Sequence, residues 1–181
     1  MKRLVLLRHA KSSWTEPGLT DHQRPLSPRG VRAAPEMARW IARHGYVPQY
    51  ALCSDAVRTR QTWELVADVW YGTFGPPPVS MEPDLYLASP YGIRALIGRT
   101  GEDIESLLVL GHNPGMHDLA STFVARDGSE LHRLLDRKFP TAAAAVLEFD
   151  VSDWSDLQPG TARLEAFMRP KDLPRAAELR L

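Results

Sequence analysis

The chain has few of the features that mark secreted, membrane-spanning or strongly charged proteins. Its 181 residues include one cysteine, Cys53, so no disulfide can form within the chain and no cysteine cluster can bind zinc. The 22 basic residues balance 22 acidic ones, which leaves no net field to attract nucleic acid or anionic lipid. No apolar run approaches the ~20 residues needed to cross a bilayer. We therefore expect a cytoplasmic protein without nucleic-acid or membrane partners.

The N-terminal segment MKRLVLLRHA begins like a signal peptide, but it lacks the later parts of one. Its apolar run covers only residues 4–7, and no small-residue cleavage site follows. A composition of 44% hydrophobic and 24% charged residues is ordinary for a globular protein, and the length suffices for one core. We expect one domain over residues 1–170 and a C-terminal tail, residues 171–181, that lies loosely on the surface.

Strand and helix patterns alternate along the chain. This order predicts an α/β fold, a three-layer α/β/α sandwich with a mostly parallel central sheet. The predicted strands are residues 3–7, 50–53, 79–81, 107–110, 143–149 and 161–168. The predicted helices are residues 28–44, 56–70, 90–97, 116–124 and 130–137. A short polar turn separates the last two strands, which favours a hairpin and hence an antiparallel pairing.

Capping signals locate the starts of the first two helices. Ser27 followed by Pro28 is typical of an N-cap and a first helical residue. Pro35 lies inside this helix and is expected to kink it or to delay its start. Either Ser54 or Asp55 is expected to cap the second helix. Three-and-four spacing places the inner stripe of the first helix at Val31, Ala34, Met37, Ala38 and Ile41.

Cationic and imidazole side chains follow three of the predicted strands. Arg8 and His9 end the first strand, Arg58 comes just after the second, and His112 follows the fourth. Ligand sites of α/β sheets lie at the carboxyl ends of parallel strands, so these side chains should meet at one rim. Guanidinium forks match phosphate oxygens, and imidazoles act as nucleophile, donor or acid near neutral pH. Each residue alone is more often solvated or structural, but their shared placement favours a phosphoryl site.

Four motifs of this chain occur together in one known family. They are LVLLRHAKSSW from residue 4, DHQRPLSPRG from residue 21, SDAVRTRQT from residue 54 and GHNPG from residue 111. In this order the motifs resemble the histidine phosphatase superfamily, specifically its small SixA-like phosphohistidine phosphatase branch. The resemblance spans residues 4–115 and implies a phosphoglycerate mutase-like fold. It also implies a phosphatase that needs no metal and no other cofactor.

The resemblance assigns roles to the residues at the strand ends. It implies that His9 is the nucleophile and becomes transiently phosphorylated, and that Arg8, Arg58 and His112 bind the phosphoryl oxygens. Phosphoryl transfer depends mainly on positioning and on charge compensation, which these groups can supply. A nucleophilic histidine must present one unprotonated nitrogen. We therefore expect the other ring nitrogen of His9 to be held by a backbone carbonyl or a carboxylate.

Three further polar residues are candidates for substrate binding. Ser12 lies where many members of the family have a polar residue that contacts phosphate. Arg24, in the second motif, either orients its loop or touches substrate, and for both residues the structural and the ligand-binding roles stay open. Asn113 opens a predicted helix whose free amide groups can receive an anion beside His112.

The general acid is where the chain departs from many family members. Mutase-like and many acid-phosphatase members use a Glu or Asp from a longer insert, which this compact chain lacks. Glu82 and Asp84 are the candidate replacements, and the alternative for both is a solvated turn beside Pro83. A protonated phosphoimidazole leaves as neutral imidazole, whereas an alkoxide needs a proton supplied. The missing acid therefore favours a P–N bond in the substrate.

Three functions remain open from the sequence. The preferred one is a metal-independent phosphatase that hydrolyses phosphohistidine in a partner protein through a phosphorylated His9. The enzymatic alternative is a phosphomonoesterase or mutase that acts on a small phosphorylated metabolite or ester. The non-enzymatic alternative is a phosphate- or phosphopeptide-binding module. The intact set of candidate groups argues against that module, because binding alone does not need a nucleophile.

Overall fold

Six strands form one central sheet in a computed structural model that describes residues 1–174. The strands are β1 (Lys2–Arg8), β2 (Tyr50–Ser54), β3 (Val79–Glu82), β4 (Ser106–Gly111), β5 (Ala144–Phe149) and β6 (Arg163–Met168). The helices are α1 (Pro28–Arg43), α2 (Val57–Tyr71), α3 (Pro90–Ile97), α4 (Gly115–Phe123) and α5 (Glu130–Arg137). Every predicted strand and helix is confirmed, with ends that differ by no more than one or two residues.

The strand order in the sheet is β3-β2-β4-β1-β5-β6. The pairings among β1, β2, β3 and β4 are parallel, whereas β5 runs antiparallel to both β1 and β6. The mostly parallel sheet and the terminal hairpin are therefore both confirmed. None of the helices described in the structure is both long and apolar enough to cross a bilayer.

Helices cover both faces of the sheet because the central strand is apolar on both sides. Leu4 and Leu6 of β1 pack with α3, α4 and α5, whereas Val5 and Leu7 pack with α1 and α2. Alternate strand residues point to opposite faces, so one short apolar run serves two cores. This arrangement confirms the three-layer α/β/α sandwich and leaves the carboxyl ends of β1, β2 and β4 side by side.

Helix α1 begins as its capping signal predicts. The Ser27 hydroxyl accepts a hydrogen bond from the Gly30 N–H at 3.2 Å, and Pro28 is the first helical residue. Pro35 lies within the helix without ending it. The predicted inner stripe is wrong at Val31, whose side chain is 46% exposed. Its neighbour Gly30 instead packs against the segment that follows β1, where an added Cβ would lie 2.3 Å from the Lys11 carbonyl oxygen.

Helix α2 begins differently from the prediction. Its N-cap is Ala56, which makes no side-chain capping hydrogen bond. Ser54 is the last residue of β2, and Asp55 pairs with His22, whose Nε2 lies 2.8 Å from the Asp55 Oδ1. The prediction that Ser54 or Asp55 caps α2 is therefore wrong, because both side chains contact other segments.

The start of the predicted C-terminal tail packs against the domain. Residues Pro170–Asp172 form a short 3₁₀ helix, and Leu173 packs on the core beneath α1. The expectation of a loose tail is wrong for these residues, because the apolar Leu173 side chain is partly buried there. The remainder of the predicted tail, residues 175–181, lies outside the described residues.

Candidate active site

Three predicted site residues meet where β1, β2 and β4 end. The rings of His9 and His112 have centroids 5.1 Å apart. Arg58, in the first turn of α2, lies against both rings, with its Nε 3.4 Å from the His9 Nε2 and its Nη2 3.2 Å from the His112 Nδ1. All three residues are buried. The parallel register that pairs Arg8 with Gly111 brings the two histidine-bearing strand ends together.

Arg8 adds a second guanidinium to this cluster. Its Nη1 donates to the Phe139 carbonyl oxygen at 2.9 Å, whereas its buried Nε has no hydrogen-bond partner within residues 1–174. Burial, followed by the neighbouring charge of Arg58, lowers the pKa of Arg8. Two neighbouring guanidiniums favour the binding of an anion.

The contacts of His9 select its tautomer. Its Nδ1 lies 2.7 Å from the carbonyl oxygen of Ala10, so Nδ1 carries the hydrogen and donates it. The Nε2 is therefore unprotonated, and it faces a donor of Arg58. Burial lowers the pKa of His9 to about 4; the Ala10 hydrogen bond opposes this shift, and the charge of Arg58 adds to it. A backbone carbonyl thus holds the ring as expected from the sequence, and the imidazole is neutral near pH 7.

His112 is held by two polar partners. Arg58 can only donate, so the His112 Nδ1 accepts its hydrogen bond. The His112 Nε2 then carries the hydrogen and donates it to the Ser54 hydroxyl at 2.7 Å. Burial, then the neighbouring His9 and Arg58, lowers the pKa of His112 to about 3. Ser54 was not a predicted site residue, although a polar residue at the end of a central strand was a usable signal.

A carboxylate and a phenol complete the site, and sequence reasoning assigned neither a role. Arg58 donates from Nη1 to the Asp21 carbonyl oxygen at 2.6 Å and from Nη2 to the Asp21 Oδ2 at 3.0 Å. The Tyr86 hydroxyl donates to the same Oδ2 at 2.6 Å. These contacts lower the pKa of Asp21, with the Tyr86 hydrogen bond as the largest cause. Asp21 opens the second family motif, whereas no sequence pattern pointed to Tyr86.

The predicted substrate-binding residues lie in segments beside this cluster. The backbone of Ser12 forms an isolated bridge with Leu26. The guanidinium carbon of Arg24 lies 3.9 Å from the centroid of the Trp14 ring. Asn113 donates from Nδ2 to the Phe139 carbonyl oxygen at 2.8 Å, which is the oxygen that also accepts from Arg8.

The candidate general acids are not brought into the cluster. Glu82 accepts a hydrogen bond from Ser80 at 2.5 Å, and it lines an open groove beside the edge strand with Leu96 and Arg99. Asp84 is exposed in a short 3₁₀ helix. Within residues 1–174 neither carboxylate hydrogen-bonds to His9 or Arg58, and no group of three His, Cys, Asp or Glu side chains is arranged to hold a metal ion.

Comparison with known proteins agrees with this geometry. The family model of the histidine phosphatase superfamily (branch 1) matches residues 4–85. An uncharacterised protein of Mycobacterium tuberculosis is 35% identical over 167 residues, which cover 91% of this chain and 100% of the relative. The chain belongs to the histidine phosphatase superfamily. The family identified from the four motifs is therefore confirmed, and the protein is a phosphatase.

Solved structures confirm the fold of this histidine phosphatase. A candidate phosphohistidine phosphatase SixA from Nakamurella multipartitia is 30% identical, with a TM-score of 0.79 over 93% of this chain and 96% of that one. A candidate α-ribazole-5'-P phosphatase from Escherichia coli is 16% identical, with a TM-score of 0.66 over 94% of this chain and 98% of that one. The second likeness shows the fold alone. Because these similar structures carry the names of different substrates, the fold of this histidine phosphatase does not name its own.

Proposed function

We propose that this histidine phosphatase hydrolyses phosphohistidine in a protein through a phosphorylated His9. One observation carries the proposal: the buried His9 ring keeps its hydrogen on Nδ1, at 2.7 Å from the Ala10 carbonyl oxygen, and its Nε2 is free of hydrogen beside Arg58. A neutral imidazole held in one tautomer is ready to attack phosphorus without first losing a proton. A site used only for binding has no need of such a group.

Arg8, Arg58 and His112 are proposed to bind the phosphoryl oxygens. The Nε of Arg58 points at the His9 Nε2, and its Nη2 points at the His112 Nδ1, so both donors already face the two imidazoles. Phosphoryl oxygens bound beside His9 would receive these donors and the unpaired Nε of Arg8. Guanidinium donors in a site from which water is excluded compensate the charge of the transferring group.

Ser54 allows His112 to join this set as a donor. A hydroxyl can accept or donate, so Ser54 can accept from the His112 Nε2 or donate to it at the same 2.7 Å distance. Once Arg58 turns to the phosphoryl group, the hydrogen of His112 can reside on Nδ1 and be donated to a phosphoryl oxygen. The imidazole therefore needs no additional proton to bind an anion, in agreement with its lowered pKa.

The proposed reaction has two displacements at phosphorus. First, the lone pair of the His9 Nε2 forms a bond to phosphorus, while the electron pair of the breaking P–N bond returns to the departing imidazole of the substrate. The His9 Nδ1 keeps its hydrogen and its hydrogen bond to the Ala10 carbonyl oxygen throughout. Water then attacks phosphorus, the electron pair of the enzyme P–N bond returns to His9, and phosphate is released with a proton lost to solvent.

The leaving group favours phosphohistidine over a phosphate ester. Glu82 and Asp84 lie outside the cluster, and the pKa of Asp21 is lowered by Tyr86 and Arg58, so none of the three supplies a neutral acid beside His9. A protonated phosphoimidazole departs as neutral imidazole and needs no such acid, whereas an alkoxide does. A small phosphorylated metabolite remains the second candidate because the fold also occurs in a protein named for α-ribazole phosphate.

The test compares hydrolysis of a phosphohistidine-bearing protein with that of β-glycerophosphate, an ester with an alkoxide leaving group, in the presence of a metal chelator. We expect kcat/KM to be higher for phosphohistidine and to fall more than about a thousandfold in His9→Ala. His44→Ala is the matched control, because His44 lies at the end of α1 and contacts Trp40. Cleavage of the ester alone would move the substrate class to small phosphomonoesters, and no turnover of either would favour a binding module.

A further inference from the structure

Asp21 presents two different carboxylate oxygens at the site. Its Oδ2 accepts hydrogen bonds from Arg58 at 3.0 Å and from the Tyr86 hydroxyl at 2.6 Å. Its Oδ1 receives no hydrogen bond from any residue in the described range 1–174. The side chain is 46% exposed, whereas that of Arg58 is 5% exposed. One oxygen is thus tied to the buried cluster, while the carboxylate as a whole stays accessible from outside.

Several contacts keep Asp21 in place. Arg58 also donates to the Asp21 backbone oxygen at 2.6 Å. The neighbouring His22 packs its ring edge-on against Tyr86, with centroids 4.8 Å apart, and pairs with Asp55. Two side chains from other segments, Arg58 and Tyr86, therefore hold both the backbone and the carboxylate of Asp21, the first residue of a short 3₁₀ helix. A group held this firmly can recognise a ligand at low entropic cost.

The charge of Asp21 opposes the usual need of a phosphatase site. A carboxylate beside the arginines weakens phosphate binding, so its presence at the site calls for a functional explanation. The hydrogen bond from Tyr86 and the charge of Arg58 lower its pKa, which makes it an acceptor and not a general acid near pH 7. An acceptor at the mouth of the site fits a leaving group that carries a hydrogen-bond donor or a positive charge.

We propose that Asp21 is a specificity-determining residue that accepts, through Oδ1, a hydrogen bond from the protonated ring nitrogen of a substrate phosphohistidine. This inference rests on the proposed function. It states that the site recognises the imidazole ring of the substrate as well as the phosphoryl group. The charge-assisted contact stabilises the phosphohistidine ring in its protonated form. Esters whose leaving oxygen carries no such donor gain nothing from it.

The contact makes the two halves of the reaction chemically alike. In the substrate, the ring nitrogen remote from phosphorus keeps its hydrogen and donates it to Asp21. The P–N electron pair returns to the other ring nitrogen, so neutral imidazole departs. In the phosphorylated enzyme, the His9 Nδ1 likewise keeps its hydrogen and donates it to the Ala10 carbonyl oxygen while water displaces the ring. Each imidazole leaves neutral, and neither step requires a proton from a general acid.

A role in positioning alone makes a different prediction from this one. If Asp21 only orients Arg58, its loss weakens phosphoryl binding in every substrate by the same factor. If Asp21 were a general acid, its loss would slow esters more than phosphohistidine, since only the alkoxide needs a proton. Substrate recognition by Asp21 predicts the opposite: substitution of Asp21 must lower kcat/KM mainly for phosphohistidine.

The experiment measures kcat/KM of the parent, Asp21→Asn and Asp68→Asn for a phosphohistidine-bearing protein and for β-glycerophosphate, an ester whose alkoxide leaving group needs a proton. Asp68 is the matched control because it is an exposed aspartate on α2. We expect the preference for phosphohistidine to fall about tenfold or more in Asp21→Asn and to stay unchanged in Asp68→Asn. An equal loss for both substrates, or a larger loss for the ester, would overturn the inference.

A second readout does not depend on absolute activity. In the enzyme–substrate complex, the contact with Asp21 should raise the pKa of the phosphohistidine ring and keep it protonated to higher pH. The alkaline limb of the pH profile of kcat should therefore move to lower pH in Asp21→Asn. An unmoved limb would contradict recognition by Asp21. Failure of the parent to hydrolyse phosphohistidine at all would instead reject the proposed function, and this result is separate from any change between parent and variant.

Discussion

The Thr62 hydroxyl accepts a hydrogen bond from the backbone N–H of Ala10 at 3.0 Å. The same hydroxyl donates to the Arg58 carbonyl oxygen at 2.7 Å, so one buried side chain joins the strand end that carries His9 to the helix that carries Arg58. The carbonyl of Ala10 in turn holds the His9 ring. The spacing between the proposed nucleophile and its guanidinium neighbour therefore depends on Thr62.

Replacing Thr62 by valine removes both hydrogen bonds while keeping the volume of the side chain. We expect Thr62→Val to lower kcat/KM by about tenfold and to destabilise the protein by about 1–3 kcal/mol, because the buried Ala10 N–H loses its partner. Steady-state kinetics and urea unfolding measure these effects. Thr73→Val, at an exposed site after α2, is the control. Unchanged activity together with unchanged stability would show that the link is dispensable.

The pKa values of the two site histidines should be visible in solution. Burial lowers the pKa of His9 to about 4 and that of His112 to about 3, so both rings stay neutral as the pH falls from 8 to 5. Histidine NMR signals assigned with His9→Ala and His112→Ala should therefore change shift only below about pH 5. Titration of either ring near its ordinary pKa of 6.5 would contradict the buried, neutral state.

Substitution of Ser54 tests how His112 changes its hydrogen-bond role. In Ser54→Ala the His112 Nε2 loses its partner at 2.7 Å, and the ring loses the donor that allows hydrogen to reside on Nδ1. We expect kcat/KM to fall about tenfold, while Ser54→Thr retains a hydroxyl and most of the activity. Kinetics of both variants provide the check. Equal activities of the alanine and threonine variants would exclude a role for the hydroxyl.

The start of α4 depends on the absence of a side chain at Gly115. A Cβ there would lie 2.0 Å from the Ala88 carbonyl oxygen, so Gly115→Ala must displace the backbone three residues after His112. We expect a loss of about 1–3 kcal/mol in unfolding free energy and reduced turnover. Gly72→Ala is the matched control, since nothing lies within 4 Å of an added Cβ at that position. Similar melting temperatures for the two variants would contradict this packing.

Much of the fold was predictable because hydrophobic periodicity is a local property of the chain. Every strand and helix lies within one or two residues of where its apolar pattern indicated, and Ser27 caps α1 as expected. The errors arose where contacts with distant segments compete with local preference. Val31 is exposed while its neighbour Gly30 packs against the backbone of Lys11, and Ser54 does not cap α2 because its hydroxyl lies against His112.

The linear sequence was enough to show which side chains follow the carboxyl ends of the strands, and so to select the candidates Arg8, His9, Arg58 and His112. Parallel pairing leaves those ends at one edge of the sheet, which is why a linear pattern was enough. The meeting of Asp21 and Tyr86 beside Arg58, across 65 residues of sequence, is visible only in the folded protein. Hydrogen bonds between residues far apart in the sequence depend on the tertiary arrangement of the whole chain, which local hydrophobic periodicity does not encode.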